Sequence, residues 1–255
     1  MSGALSAMLK TAGGALALLG VIGAHDAAAA ASNVDRCVSV AAEFNLGTPP
    51  ARTRARLRAG QPVTIVALGS SSTSGFGTFG PGYPEVLQAE LSRRHPESKI
   101  TVINRGRVGD TLGGMLARLD RDVLRARPHL VVWQLGTNSV VWHGIAADAR
   151  QSLRDGVRRL KNAKADVILM DLQYAPLVTV RSSHRTMEAI IARVAHDEGV
   201  GLFPRFALMR RAIAKGIGGL VFLDGLHNSG DGYRCIGRAL ARMIDGDMVD
   251  AGAAR

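Results

Sequence analysis

Ser71 lies in Ala67-Leu68-Gly69-Ser70-Ser71-Ser72-Thr73-Ser74-Gly75, directly after a short apolar run. A serine hydroxyl is a poor nucleophile at neutral pH and needs a neighbouring base. His227, in Asp224-Gly225-Leu226-His227, is the candidate base. Asp224, three residues earlier, is the candidate for holding the other ring nitrogen, fixing the tautomer and stabilising the imidazolium formed on attack. Attack on a carbonyl carbon also creates an oxyanion, which needs donors aimed at it. The candidates are the backbone N–H groups of Ser71 and Gly109 and the side-chain amide of Asn138. Gly109 opens Gly109-Asp110-Thr111, and Asn138 lies in Gly136-Thr137-Asn138-Ser139. Glycine allows close backbone approach, and asparagine is a neutral donor that does not compete as a nucleophile.

Taken singly, each residue has a plainer reading. A Ser/Thr-rich stretch after a strand is ordinarily a turn, and glycine and asparagine are ordinary loop chemistry. Asp224 alone would start a turn, and His227 alone would cap the helix that follows. His95, His129, His143, His184 and His196 have no partner in view. The joint reading rests on the elements that must carry the residues.

From Pro62 onward the chain alternates. Residues 63–68 are a β-branched, apolar run ending at glycine, as expected of a buried parallel strand. Helical periodicity over 83–95 opens with Pro84. Strands are then expected at 99–104, 129–135, 166–170 and 200–203, with helices at 111–127, 146–161, 182–198 and 231–244. Alternation of this kind implies right-handed crossovers and a parallel sheet covered on both faces. In such sheets ligands bind beyond the carboxyl ends of the strands. Ser71, Gly109 and Asn138 each follow an expected strand, and Asp224 and His227 fall in the loop before the last helix, so all five can meet at one edge.

In order and spacing these blocks resemble the SGNH (GDSL-type) hydrolases. That resemblance spans about residues 62–245. It implies an α/β fold: a three-layer α/β/α sandwich with a parallel, flavodoxin-like sheet. It further implies a carboxylic ester hydrolase that works through a Ser-His-Asp triad and an acyl-enzyme with no cofactor or metal. The resemblance allows lipids, thioesters and small aryl esters equally well, while export and positive charge favour short-acyl or acetyl esters. By the match, Ser71 is the nucleophile, Asp224 and His227 complete the triad, and Ser71, Gly109 and Asn138 form the oxyanion hole. Two positions depart from the family pattern: Ser70 replaces the usual aspartate beside the nucleophile, and Ser139 replaces the aspartate after Asn138. Both aspartates would brace loops, which serine does more weakly. The departures motivate a rival reading, a catalytically degenerate module of the same fold that binds envelope glycan.

Bulk properties bound the remainder. The 255 residues suit one domain plus a leader, and 47% hydrophobic content supports a substantial core. Residues 1–31 read as an export signal: Lys10 precedes a short apolar run, followed by alanine-rich sites for cleavage. The expected location is therefore periplasmic or secreted. Residues 32–60 read as an N-terminal extension packed on the hydrolase domain, residues 61–255.

The net charge of +11 favours anionic partners, but the basic residues are spread along the chain. Arg52, Arg54, Arg56 and Arg58 form the densest cluster and read as a solvated face. Aromatic content of 4% argues against a stacking platform for single-stranded nucleic acid. The glycine-rich residues 75–82 lack dinucleotide spacing, and no Walker sequence is present. That loop and residues 171–174 are expected to border the cleft. The expected partner is thus a small ester or an acylated glycan, with no specific nucleic acid, plus electrostatic contact with an anionic envelope. Cys37 and Cys235 are the only cysteines; they either pair or remain buried thiols, and neither has a CxxC partner for a metal.

Overall fold

The apolar runs become strands and the segments between them become helices. The computed structural model describes residues 31–246. The leader read over residues 1–31 lies outside them, apart from Ala31. In chain order the elements are α1 (Asn33–Val40), α2 (Ala51–Arg58), β1 (Val63–Gly69), α3 (Ser71–Ser74), α4 (Tyr83–Arg94), β2 (Ile100–Gly106), α5 (Leu112–Ala117) and α6 (Leu119–Asp122). They continue with β3 (Leu130–Gln134), α7 (Ala149–Asn162), β4 (Asp166–Met170), α8 (Pro176–Thr179), α9 (His184–Glu198), β5 (Gly201–Phe203), α10 (Arg205–Ala214) and α11 (Gly230–Asp245).

All strand pairs are parallel and the order is β2-β1-β3-β4-β5, the flavodoxin-like arrangement. Period-2 alternation splits each strand between two cores. Val63, Ile65, Ala67, Leu130, Val132, Ile168 and Met170 face a layer containing α1, α4, α10 and α11. Val66, Leu68, Val131, Trp133, Val167 and Leu169 face α5, α6, α7 and α9. The result is a three-layer α/β/α sandwich.

Residues 32–60 are more regular than their composition suggests. Val34, Cys37 and Val38 of α1 and Leu57 of α2 are buried in the same core as α4 and α11. Cys37 and Cys235 form a disulfide that joins α1 to α11, with Cα atoms 5.9 Å apart. The carbonyl of Leu46 accepts the Leu202 N–H at 2.9 Å, which covers part of the β5 edge. Of the arginine cluster, Arg52 and Arg58 are exposed. Arg54 instead donates to the carbonyls of Ile244 (2.6 Å) and Met243 (2.9 Å), capping the last turn of α11.

The continuous helix expected over 111–127 is broken into α5, α6 and a short 3₁₀ turn, Leu124–Ala126. Arg118, between α5 and α6, leaves helical geometry at φ −110°, ψ 6°. Its guanidinium turns inward to carbonyls at the ends of β1 and β2, so tertiary bonding overrides local propensity. Helix α10 had no counterpart in the expected elements. Phe206, Leu208, Met209 and Ala212 face the core, but Arg205 at its start, Arg210 and Arg211 obscure the pattern.

Candidate active site

β1 ends at Gly69, and α3 begins two residues later with Ser71. Space decides how tightly α3 sits against the neighbouring strand: a Cβ on Gly106 would lie 2.1 Å from the Ser74 nitrogen. Ser71 is buried, with 6% of its surface exposed. Its Oγ lies 2.9 Å from His227 Nε2, and His227 Nδ1 lies 2.6 Å from Asp224 Oδ2. A proton on Nδ1 donated to the carboxylate leaves Nε2 as acceptor for the Ser71 hydroxyl, which fixes the tautomer. Asp224 Oδ1 accepts the backbone N–H groups of Leu226 and His227, both at 2.9 Å. Burial pushes the Asp224 carboxyl up, but these donors outweigh it and hold the group below its ordinary value.

Gly109 has φ +77°, a backbone conformation costly for any residue with a side chain. Among the described residues, its N–H and that of Ser71 donate to no protein acceptor. Asn138 Nδ2 donates one hydrogen to the Asp110 carbonyl at 2.8 Å, which orients the amide and leaves its second hydrogen for another acceptor. The structure therefore brings Ser71, Asp224 and His227 into one hydrogen-bonded chain and ties the Asn138 loop to the Gly109–Asp110 loop.

Three supporting residues, Gln134, Arg118 and Arg205, escaped the sequence reading, and a fourth, Gln173, was expected only at the border of the cleft. Gln134 ends β3 fully buried, and its Oε1 accepts the Ser70 N–H (2.9 Å), the Ser70 hydroxyl (3.1 Å) and the Thr73 hydroxyl (3.2 Å). Ser70, one of the two departures, is thus braced by a side chain from the next strand. A glutamine closing a wholly apolar run was the available signal. Arg118 donates to Asp110 Oδ2 (2.8 Å), Asp122 Oδ2 (3.0 Å), and the Gly69 (3.1 Å) and Arg105 (2.9 Å) carbonyls. It locks the loop carrying Gly109 to the strand that ends before Ser71.

Arg205 and Gln173 support the other side. Arg205 is fully buried and donates to the Asp171 carbonyl through Nε (3.0 Å) and Nη2 (2.7 Å), and to Gln173 Oε1 (2.8 Å). Gln173 in turn accepts from Thr137 Oγ1 at 2.8 Å and donates to the Leu226 carbonyl at 3.1 Å. This chain links the loop carrying Asn138 to the loop carrying His227. Asp171, Leu172 and Gln173 are consequently buried beneath the site rather than forming its wall. Burial pushes the Asp171 carboxyl up to about 7, against the Phe206 N–H it accepts at 2.9 Å.

The glycine-rich loop does border the site. The Phe76 ring lies 4.6 Å from that of His227, and the Tyr233 hydroxyl donates to the Phe76 carbonyl at 2.7 Å. Beside the Asn138 loop is a cavity of about 380 Å³, lined by Thr111, Leu116, Ser139, Ile145 and Met187 among others. His95 and His184 bond the carboxylates of Asp245 and Glu188 rather than joining Ser71. Among the described residues no cluster of histidine, cysteine or carboxylate side chains could hold a metal.

The sequence is 28% identical to esterase TesA of Pseudomonas aeruginosa over 168 residues, covering 64% of this chain and 79% of the relative. It is 25% identical to an acetylxylan esterase of Geobacillus stearothermophilus over 188 residues, 68% of this chain and 85% of the relative. The fold matches the crystal structure of a lipase/acylhydrolase from Enterococcus faecalis with a TM-score of 0.63, at 24% identity, over 72% of this chain and 96% of the other. The sequence pattern of the Non-GDSL lipase-like family matches residues 36–250. The chain thus belongs to the Non-GDSL lipase-like family and carries the SGNH-hydrolase fold.

Proposed function

We propose that this protein is an exported serine hydrolase that cleaves carboxylic esters, with acetyl and other short acyl groups preferred. The observation that carries the reading is the unbroken chain from Ser71 Oγ through His227 to Asp224, at 2.9 Å and 2.6 Å. Ser71 Oγ attacks the ester carbonyl while its proton passes to His227 Nε2. Asp224 keeps the ring oriented and stabilises the imidazolium. The N–H groups of Ser71 and Gly109 and the remaining amide hydrogen of Asn138 receive the oxyanion. The bond to the alcohol oxygen breaks as His227 returns the proton to it. Water then attacks the acyl-enzyme with His227 as base, releasing the carboxylic acid and restoring Ser71.

Preference for short acyl groups draws on the similarity to an acetylxylan esterase and on the modest cavity beside Thr111 and Ser139. Export draws on the leader pattern of residues 1–31 and on the Cys37–Cys235 disulfide, a bond favoured in oxidising compartments. Hydrolysis of p-nitrophenyl acetate by the wild type and by Ser71→Ala tests the central claim. Turnover is expected to fall by several orders of magnitude in the variant, and equal turnover would refute the role of Ser71.

A further inference from the structure

The exposed apolar side chains are distributed unevenly. Among the described residues, every large one except Ile213 stands on a segment beyond the carboxyl ends of the strands, Leu177 on the short α8, or on the loop carrying Asp224 and His227. Phe76 and Phe79 follow β1, Val108 follows β2, Trp142 follows β3 and Val180 follows β4, while Leu223 is 98% exposed beside Asp224. Single exposed apolar residues are ordinary on any surface, but their collection around one functional edge marks an interaction site.

Two arginines at that edge stand unpaired. Arg181 and Arg185, next to Val180, are exposed and form no ion pair among the described residues. Of the carboxylates at the same edge, Asp110 is held by Arg118, Asp231 by Arg234, Asp224 by His227 and Glu188 by His184, while the exposed Asp148 and Glu85 bond only the neutral Ser152 and Asn104. Apolar side chains protruding from separate loops, flanked by unpaired arginines, fit a soft apolar phase with anionic headgroups. We propose that this rim docks the mouth of the site onto an anionic lipid surface. The docking is independent of catalysis and requires only that the rim face the lipid.

Trp142 makes the idea directly measurable. The chain has two tryptophans; Trp133 is fully buried and Trp142 is 59% exposed on the rim. Emission of the full-length chain would be followed on adding vesicles of phosphatidylglycerol mixed with phosphatidylcholine, or of phosphatidylcholine alone. A blue shift and quenching by spin-labelled lipid are expected with the anionic vesicles, weakening as salt rises. Phe79→Ser/Leu223→Ser and Arg181→Glu/Arg185→Glu should each lower vesicle partition by about tenfold or more. Arg58→Glu/Lys99→Glu makes the same charge change at the opposite edge of the sheet and should leave partition as in wild type. Circular dichroism establishes that each variant is folded. The proposal is overturned if Trp142 emission ignores the vesicles, if the rim and control variants partition equally, or if only soluble acetylated xylan shifts the emission.

Discussion

Gln134 Oε1 accepts both the backbone N–H and the hydroxyl of Ser70, so the strand beside β1 holds the residue next to Ser71. The N–H of Ser70 is an obligate donor, which fixes the oxygen of the Gln134 amide on this side. Gln134→Leu would leave the buried Ser70 N–H without an acceptor, at about 1–3 kcal/mol, and would remove the bonds from the Ser70 and Thr73 hydroxyls, the latter still within reach of the Tyr83 hydroxyl. Ser70→Ala removes one neutral hydrogen bond, about 1 kcal/mol. Thermal melts should therefore show a larger loss for Gln134→Leu, roughly 5–10 °C for a domain of this size. Its kcat should fall more than its KM changes, because α3 starts on this brace. Equal melting losses in the two variants would mean that the Ser70 hydroxyl alone matters.

Asn138 is held by the Asp110 carbonyl before any substrate arrives. A donor pre-aimed at the oxyanion position contributes mainly in the transition state. Asn138→Ala is expected to lower kcat on p-nitrophenyl acetate by about 10²–10³ with little change in KM. A change confined to KM would assign Asn138 to ground-state binding instead.

The parts legible in the sequence are those governed by short-range pattern. Residues 166–170 were expected as a strand, and β4 has the same limits because it is a buried run bounded by polar residues. Ser71, Asp224 and His227 were legible because each belongs to a short block at a strand end or before the last helix. The brace around them was not. Arg118, Gln134, Gln173 and Arg205 act across tens of residues, and an isolated polar residue in sequence gives no sign of which carbonyl it will reach. The break of the helix expected over 111–127 has the same cause, since Arg118 gives up helical geometry to bond four separate groups.

The Cys37–Cys235 disulfide closes a sequence separation of 198 residues. Chain-entropy arguments for so long a loop put its stabilisation at about 5 kcal/mol, and native-state effects ordinarily reduce that. Cys37→Ala/Cys235→Ala is expected to melt about 10 °C below wild type. Dithiothreitol should lower the melting temperature of wild type and leave the double variant unchanged. Ester turnover at 25 °C should persist in the variant, because neither cysteine contacts Ser71, His227 or Asp224. Loss of turnover with the fold intact would show that α1 positions the loop before α11.

Asp171 supplies a pH dependence of unusual sign for a carboxylate. Its folded value is raised by burial to about 7, whereas the ordinary value is 3.8. Between those values the native state keeps a proton that the unfolded chain has released, so stability from this group falls as pH rises and levels off above about 7. The slope approaches about 1.4 kcal/mol per pH unit in that window. Carboxylates with lowered values, such as Asp224 and Asp122, act in the opposite direction and lose their contribution only as the solution becomes more acidic. The Asp171 contribution is therefore isolated by comparison with Asp171→Asn, which keeps an oxygen for the Phe206 N–H and cannot ionise. Melting of the two proteins from pH 4.5 to 8 should diverge steadily, with wild type losing stability relative to the variant up to about pH 7. Parallel profiles would mean that Asp171 ionises in the folded protein as it does in the unfolded chain, with Arg205 and the Phe206 N–H offsetting its burial.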